Sequence, residues 1–518
     1  MEAGFLDRAS QAVSVWVPAL VVGLVPIVVL PGAFAPFHAG KWFAVSALIP
    51  LGLVACAIRG VLRWPRWQWF AAWVGVNALA MVLGVAPWLS LAGSPNRNAG
   101  VLAVLLGCGA FVLGASTGDD PRVQRLVLRA AFISGAIVGV LAIMEWLGVD
   151  LLGLGDLDQA SRARSTWGNA AFAGAHFVIV LPIAVAHMRS RDRTWRILAI
   201  ASTVAIGLGL LLTGTRAAWV AAAVAAVIMA PSWRAHTRPR SADEPREIRS
   251  NLTPLIIGAV VIIGSVVIMA PNLTRSSAAG RVDQWRTAIP VIIDRPVLGS
   301  GPDTGRVVLP SGIDESFEQK HGSTELHDRV HNVVLDTAVT TGLIGVVVLG
   351  ALLVVLITDI RRGLHNEIVP TAIAAGLAGY LVTLLFGFGD PIIDPIVWLL
   401  AGVLLASSSS RSLVSGRAAE PGTASPGRIP RGATAGVLAV VTVMAALWAG
   451  GEVLAEYRLS SAMDARRSGD LAGSLDILKG ASRLAPARFD LDQISSRIVT
   501  QALVSGTPID GQRGSTTM

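Results

Sequence analysis

The sequence predicts an all-α protein, a polytopic membrane bundle of about 13 transmembrane helices with a long outer loop and a small helical C-terminal tail. Of the 518 residues, 53% are hydrophobic and only 15% are charged, far more apolar surface than one soluble core requires. Apolar runs long enough to cross a bilayer, about 20 residues each, recur along most of the chain. These observations exclude a soluble multidomain enzyme.

The apolar runs define thirteen candidate spans. The first follows the N-terminus directly and is long enough to remain as an anchor, so we expect no cleavable signal peptide. The predicted spans are 12–32, 42–58, 68–88, 100–116, 126–147, 168–187, 195–213, 217–231, 253–270, 331–357, 369–389, 393–408 and 433–450.

Basic residues predict the orientation of these spans, because positively charged connections stay in the cytoplasm. With a cytoplasmic N-terminus, 20 basic residues fall in inner connections, whereas the short outer connections hold only a few. The sequence therefore predicts a multi-pass protein of the cytoplasmic membrane, with its N-terminus inside and its C-terminus outside. The basic residues of the short outer connections are Lys41, Arg97, Arg162, Arg164 and Arg216.

Composition limits the remaining function classes. The formal charge is +8, but in a membrane protein the placement of charges is more informative than their sum, and nucleic-acid binding is not implied. The two cysteines, Cys56 and Cys108, lie in apolar stretches without neighbouring ligands. This excludes a disulfide scaffold and a cysteine-based zinc site.

The chain divides into three predicted parts. Residues 1–451 form the transmembrane domain, including an outer loop over 271–329 whose apolar spacing predicts a helix near the membrane surface. Residues 452–505 predict an extracytoplasmic helical hairpin, and residues 506–518 a disordered tail. In the hairpin, small residues and a proline follow the spacing of a tetratricopeptide repeat, although any helical hairpin could produce this pattern. A repeat would offer a surface for a protein partner. The residues are Ala462, Ser474, Ala481 and Pro486.

Three arginines near the predicted outer face are candidates for binding an anion. Arg216 stands at the apex of a tight outer hairpin; it either anchors the helix end among lipid headgroups or holds phosphate oxygens through its planar guanidinium. Arg281 and Arg286 flank Trp285 on the predicted outer-loop helix. Because they are five residues apart, they do not share one side of that helix. Either arginine could instead pair with Asp283 or Asp294.

Histidine and asparagine side chains supply the remaining candidates. His327 and His331 have the spacing of a helical zinc pair, but the chain lacks the glutamate of an HExxH motif, and we expect no metal. His331 suits the role of general base, since the pKa of imidazole lies near neutral pH. Asn332, next to it, could orient the ring. Arg164 precedes the sixth span and Asn169 lies at its start, and both are further candidates for substrate binding.

Two other groups have simpler interpretations. His176, inside the sixth span among small residues, is more typical of a histidine satisfied by helix packing than of a catalyst. Asp390 and Asp394 are each followed by a proline, which favours a turn, although they could orient cationic groups.

In order along the chain, these segments resemble the O-antigen ligase and O-antigen polymerase family of bacterial membrane glycosyltransferases. The resemblance covers roughly residues 70 to 408. A Gly-Asn start to one span, a Thr-x-Ser-Arg-x-Ala motif, an arginine-rich outer helix ending in Pro-Leu-x-Gly-x-Gly, and a His-Asn-x-x-Leu segment followed by Glu-Thr-Gly-Leu-x-Gly carry it. The matching segments are 167–170, 213–218, 281–301, 331–335 and 340–345.

The sequence departs from the family pattern at two positions. Thr215 replaces the usual serine, and Thr340 occupies the usual glutamate position. The second departure removes a carboxylate that could support the histidine.

The resemblance implies inverting, metal-independent transfer of a glycan from an undecaprenyl-pyrophosphate carrier to an acceptor on the outer face, without a cofactor. Carried over, Arg216 and one arginine of the outer helix grip the pyrophosphate, while His331 deprotonates or positions the acceptor hydroxyl. The implied partners are the lipid-linked donor, a polysaccharide, lipid or protein acceptor, and membrane lipids. Ligase, polymerase and protein O-glycosyltransferase share these motifs.

Two alternatives from other classes remain. A transporter or flippase could line its pathway with the same arginines, although the halves of the chain show no convincing repeat. A non-catalytic assembly protein could recruit partners through its tail. The second alternative explains the tail better than the body of the chain.

Overall fold

The computed structural model describes residues 2–95, 97–153, 162–235, 277–322, 327–364, 367–414 and 431–505. Within these ranges the chain forms helices and no strand, which confirms the all-α class. The helices are α1 Glu2–Gly23, α2 Ala39–Arg59, α3 Trp67–Leu83, α4 Pro87–Ala92, α5 Val101–Thr117, α6 Pro121–Trp146, α7 Ala170–His187, α8 Arg193–Leu212, α9 Arg216–Ala235, α10 Ser277–Asp294, α11 Gly305–Val308, α12 Glu315–His321, α13 Val333–Gly363, α14 Ile368–Leu384, α15 Ile393–Val414, α16 Arg431–Arg467, α17 Leu471–Leu484 and α18 Phe489–Ser505.

Twelve of the predicted spans coincide with helices of the described residues. Eight of these helices are long and apolar enough to cross a membrane, and α3, α5, α14 and the apolar part of α15 are shorter. The predicted span 253–270 lies outside the described residues. The count of thirteen therefore stays a prediction.

Polar caps set where several apolar helices begin. Asp120, Asn169, Asp192 and Asn332 each precede a helix and accept hydrogen bonds from the first backbone N–H groups of α6, α7, α8 and α13, respectively. These donors have no partner within their own helix, so a cap stabilises each start by about 1 kcal/mol.

Small residues determine how closely the helices approach. At Gly114 on α5, at Gly118 directly after it and at Gly402 on α15, an added Cβ atom would collide with the backbone of the facing helix. Close backbone approach of this kind is typical of helix association in membranes, where apolar burial alone drives no pairing. These glycines explain why α5 and α15 form a closely packed pair.

The connections between helices meet at the two ends of the bundle as the charge pattern predicts. At one end, predicted inner connections contact one another. Arg66 forms a bidentate ion pair with Asp359, and the Arg189 guanidinium lies 4.0 Å from the ring of Trp233. At the other end, predicted outer connections meet: the Lys41 ammonium donates to the carbonyl of Thr166. Which end faces outward stays a prediction.

A kink in α13 brings together two glycine-containing segments, 296–301 and 340–345, that lie about 40 residues apart in the sequence. Gly342 has a φ of 67°, which breaks the helix and exposes its backbone groups. The segment 296–301 fills the break: the N–H groups of Ser300 and Gly301 donate to Val339 O and Thr340 O at 2.9 and 2.8 Å, and Leu343 N donates to Pro296 O. The two motifs are therefore one structural joint between the outer loop and α13.

The tail is continuous with the last apolar helix, because α16 runs through the predicted boundary at 451 without a break. Together with α17 and α18, its C-terminal half buries a separate apolar cluster. Ser474 and Ala462, two residues of the predicted repeat spacing, are fully buried, and the Ser474 hydroxyl donates to Ala462 O at 2.8 Å. This packing suits a helical hairpin, and the tetratricopeptide interpretation stays a prediction.

Two carboxylates of α16 attach the tail to the end of the bundle where the predicted outer connections meet. Glu456 accepts a hydrogen bond from Ala35 N at 2.6 Å and forms an ion pair with Arg488. One turn earlier, Glu452 accepts from the side-chain amide of Asn98. The tail and the predicted outer connections therefore lie on the same side of the bundle.

This arrangement generates a topology prediction. Alkaline phosphatase fused after Ser505 should be active, because it folds only outside the cytoplasm and the tail lies with the connections that are poor in basic residues. A fusion after Arg191, at the opposite end, is the matched control and should be inactive. An inactive phosphatase at Ser505 with an active one at Arg191 would reverse the orientation.

Candidate functional site

The site is built around the turn between α8 and α9. Arg162 binds this turn with two hydrogen bonds: its Nε donates to Thr213 O at 2.8 Å, and its Nη2 donates to the Thr215 hydroxyl at 2.7 Å. That hydroxyl in turn donates to Ala170 O at 3.0 Å. A threonine hydroxyl can make these contacts as well as a serine, which accounts for the tolerated departure at this position. The turn places Arg216 at the first residue of α9.

Arg281 joins this turn from the outer-loop helix α10. It is half-buried, and its pKa is lowered by burial and then by the nearby charges of Arg162 and Arg216. Burial and the charge of Arg216 likewise lower the pKa of Arg162. Three guanidinium groups from three separate segments are therefore close enough to repel one another. Such a cluster is stabilised by an anion.

Arg286 has a different environment from Arg281. Its side chain is 71% exposed, and its Nη1 lies 3.7 Å from Asp283, which also contacts Lys320 and His321. Five residues along a helix correspond to a rotation of about 140°, which places the two arginines in different surroundings. Of the two, Arg281 is the one that joins the cluster around Arg216.

His331 lies just before α13, close enough to Arg281 for the two side chains to interact electrostatically. Its φ is 56°, an unusual conformation for a residue with a side chain, and its ring packs edge-on against Phe388 with centroids 5.2 Å apart. Burial lowers the pKa of His331, and the positive charge of Arg281 lowers it further. The imidazole is therefore mainly neutral at pH 7, with burial contributing more than the arginine.

Arg329, two residues before His331, is a residue that the sequence analysis did not single out. Its guanidinium is buried and pairs with Asp303 at 2.5 Å and with Asp336 at 2.9 Å. Asp303 in turn accepts from the backbone N–H and hydroxyl of Ser94. This pair of ion pairs ties the loop before His331 to the outer loop and to α13.

The asparagines that the sequence proposed for substrate binding also have structural roles. Asn332 caps α13, and its amide donates to Leu385 O at 3.0 Å, which fixes the residue next to His331. Asn169 caps α7 through Ala171 N at 2.8 Å and is exposed beside a cavity. Both can position the site, and Asn169 also lines the cavity.

Arg164, His176 and His327 lie in surroundings that differ from those of His331. Arg164 pairs with Glu145 at 3.2 Å. His176 is buried within α7 beside Trp167, but neither of its ring nitrogens makes a hydrogen bond within the described residues, so the expectation of a satisfied histidine is not confirmed. His327 contacts Gln284 at 3.1 Å, and because α13 begins only at Val333, His327 and His331 are not one helical turn apart.

Sequence reasoning missed Arg162 and Arg329. Arg162 was counted only as a basic residue of an outer connection, and nothing in its local pattern distinguishes it from Arg164. Arg329 has a weak local signal, an arginine between aspartates at positions 328 and 336. Its decisive partner, Asp303, is 26 residues away in sequence, and only the fold brings the two together.

Removing the buried guanidinium should be more damaging than removing an exposed one. Arg329→Met would leave Asp303 and Asp336 without their cation, so we expect a loss of about 3 to 5 kcal/mol in stability. Arg286→Met, which removes an exposed side chain, should cost at most about 0.5 kcal/mol. Thermal unfolding of both variants in the same detergent measures the difference. Equal stability would show that the ion pairs of Arg329 do not hold the loop.

Comparison with known proteins identifies part of this chain. No curated protein matches it. A family model described as O-antigen ligase matches residues 201–350, a segment that contains Arg216, Arg281 and His331 but neither Arg162 nor the tail. The match supports the family predicted from the motifs: residues 201–350 of this multi-pass membrane protein are similar to the O-antigen ligase family.

Proposed function

We propose that this protein transfers a glycan from undecaprenyl pyrophosphate to an acceptor hydroxyl at the outer face of the cytoplasmic membrane, by an inverting reaction that uses protein side chains alone. The family match indicates a role in membrane glycan transfer. The observation that carries the finer proposal is the grouping of Arg216, Arg281 and a neutral His331, which come from three distant segments. Each has a distinct task in the reaction.

The arginines would bind and stabilise the pyrophosphate. In the donor, the anomeric carbon is bonded to a phosphate oxygen, and breaking this bond leaves the electron pair on the pyrophosphate. Fixed guanidinium groups stabilise the charge that develops there, an effect commonly worth several kcal/mol when donors are already in place. Because the three cations repel one another without a ligand, binding a diphosphate removes this repulsion. Arg162 adds charge and holds the turn that presents Arg216.

His331 would act as the general base. Its neutral ring accepts the proton of the acceptor hydroxyl while that oxygen forms the new bond to the anomeric carbon. Attack opposite to the departing pyrophosphate inverts the configuration at this carbon. The Arg281 guanidinium would bind the leaving pyrophosphate, and its positive charge favours the neutral form of His331. One arginine would therefore assist both the departure of the leaving group and the activation of the acceptor.

The proposal covers ligase, polymerase and protein O-glycosyltransferase, because all three use this chemistry on different acceptors. A profile of lipid-linked glycans in a strain lacking the protein separates them. Accumulated long chains on the carrier indicate a ligase, and accumulated single repeats indicate a polymerase. An unchanged profile would favour the alternative of a transporter, flippase or assembly protein and would contradict the proposal.

Replacing Arg216 with lysine should lower transfer at least about tenfold, since an ammonium retains the charge but loses the planar fork that holds two phosphate oxygens. Arg295→Lys, at an exposed position just after α10, is the matched control and should retain full activity. Transfer from purified lipid-linked donor measures both. A fully active Arg216→Lys protein would leave Arg216 the role of a membrane anchor.

His331→Ala should lower transfer by about 10² to 10⁴ fold while donor binding, which depends on the arginines, remains. The pH profile gives a second readout. Since the pKa of His331 is lowered, the acidic limb of kcat/KM should lie below pH 6.5, and activity should be lost only as the pH falls through it. Arg281→Gln removes a nearby positive charge and should move this limb to higher pH. An unmoved limb, or equal loss of donor binding in His331→Ala, would contradict the role of base.

A further inference from the structure

A cavity at the start of α7 has no role in the proposed transfer reaction. It contains about 600 Å³ of empty space, part of it open to solvent. Its lining combines aromatic rings with an imidazole, an amide and a carboxylate, from three separate segments of the chain. The lining side chains include Phe37, His38, Trp167, Asn169, Phe172 and Asp390.

The polar groups of this cavity are held in place by the protein and keep unused hydrogen-bonding capacity. Asp390 is only 6% exposed; its Oδ1 accepts from Ile392 N and Ile393 N at 2.9 and 3.0 Å, whereas Oδ2 makes no hydrogen bond within the described residues. His38 bonds through Nε2 to the side-chain oxygen of Asn98 at 2.8 Å. With Nε2 as donor, Nδ1 is left as an acceptor on a ring that lines the cavity.

The neutral form of His38 is favoured in this position. Burial lowers its pKa, although the negative charge of Asp390 acts in the opposite direction. A neutral imidazole offers one donor and one acceptor, which suits hydroxyl groups that both donate and accept.

A buried lysine fixes the aromatic walls. The Lys41 ammonium is fully buried and donates to the carbonyls of Phe37 at 3.1 Å and Thr166 at 2.7 Å, so it ties together the two segments that carry Phe37 and Trp167. Between them, Gly168 has a φ of 65°, and a Cβ atom there would collide with the Phe37 ring. The walls are therefore set before any ligand binds, which lowers the entropic cost of binding.

The chemistry of the lining distinguishes this cavity from the arginine cluster. Its one charged lining residue is the carboxylate Asp390, which repels phosphate and acidic sugars. Flat aromatic rings pack against the apolar faces of a sugar, while carboxylate, amide and imidazole groups bind its hydroxyls. Phosphate and sugar would thus be separated by charge.

The cavity also lies close to the proposed base. Phe172, in the cavity wall, packs edge-on against Phe388 at 5.8 Å, and Phe388 packs against His331 at 5.2 Å between ring centroids. Two ring contacts therefore separate the cavity from the imidazole.

We propose that this cavity is a binding subsite for a neutral saccharide, with Phe172 and Trp167 against the sugar ring and Asp390, His38 and Asn169 on its hydroxyls. Under the proposed function, on which this last step rests, the bound sugar belongs to the acceptor glycan, and its free hydroxyl reaches His331 across Phe388. The donor pyrophosphate occupies the arginine cluster instead.

Saturation-transfer difference NMR on the full-length protein in nanodiscs tests this subsite, with the methyl glycosides of glucose, galactose, mannose and arabinose as probes. At least one glycoside should receive saturation. Asp390→Asn keeps an oxygen for the two backbone N–H groups but loses the charge, and Phe172→Ala removes one wall. Each should weaken binding about tenfold or more.

The matched control is Asp192→Asn, which changes the same residue type at a helix start on α8, far from the cavity, and should bind the glycoside normally. Two results would overturn the proposed subsite: no saturation transfer from the protein to any of the four glycosides, or the same saturation transfer in both cavity variants as in the unmodified protein. Farnesyl diphosphate provides the separate readout. Its binding should survive Asp390→Asn and fall in Arg216→Lys; if Arg216→Lys leaves it unchanged, the proposed function fails while the sugar subsite stands on its own result.

Discussion

The buried guanidinium of Arg329 is the interaction on which the rest of the site depends. Two carboxylates from different segments, Asp303 and Asp336, pair with it, and Asp303 also binds the Ser94 backbone. A buried charge is tolerable only when its partners are complete, so the three segments must assemble together or not at all. His331 is two residues from Arg329, so the segment that carries it is tied to this assembly. The geometry proposed for catalysis thus rests on an ion-pair network that is distinct from the proposed reacting groups.

The sequence predicted the helices well, because a bilayer imposes a strong and local rule. A backbone within lipid must satisfy its own hydrogen bonds, and about 20 apolar residues in a helix do so. Twelve predicted spans therefore coincide with helices, with ends set by residues such as Asp120 and Asn332. At the tail boundary the rule shows where the apolar stretch ends but not where the helix ends, since an apolar stretch and a following polar stretch can share one helix. Hydropathy drops near Gly451, yet α16 continues through Gly450 and Gly451.

The site was predictable only in part, because its members come from distant segments. Motifs marked Arg216 and His331 individually, and they marked Arg281 and Arg286 together without choosing between them. Arg162 was not distinguishable from Arg164 by sequence, although the fold gives one the α8–α9 turn and the other the carboxylate of Glu145. Similarly, the pairing of the 296–301 segment with the kink at Gly342 explains both glycine motifs by one set of backbone hydrogen bonds. Residue types reveal what a segment can do, whereas long-range contacts decide which segment does it.

The two halves of the proposed reaction make opposite electrostatic demands, and the fold separates them. A pyrophosphate needs several cations, whereas an incoming hydroxyl needs a neutral base and groups that accept hydrogen bonds. Placing both in one pocket would let a carboxylate such as Asp390 neutralise the arginines. In this structure the aromatic ring of Phe388 stands between the cavity and His331, and the guanidinium of Arg97, 4.9 Å from that ring, is already paired with Asp328. Asp390 lines the cavity, whereas Arg162, Arg216 and Arg281 do not, so each of the two proposed subsites can keep the charge that its own ligand would require.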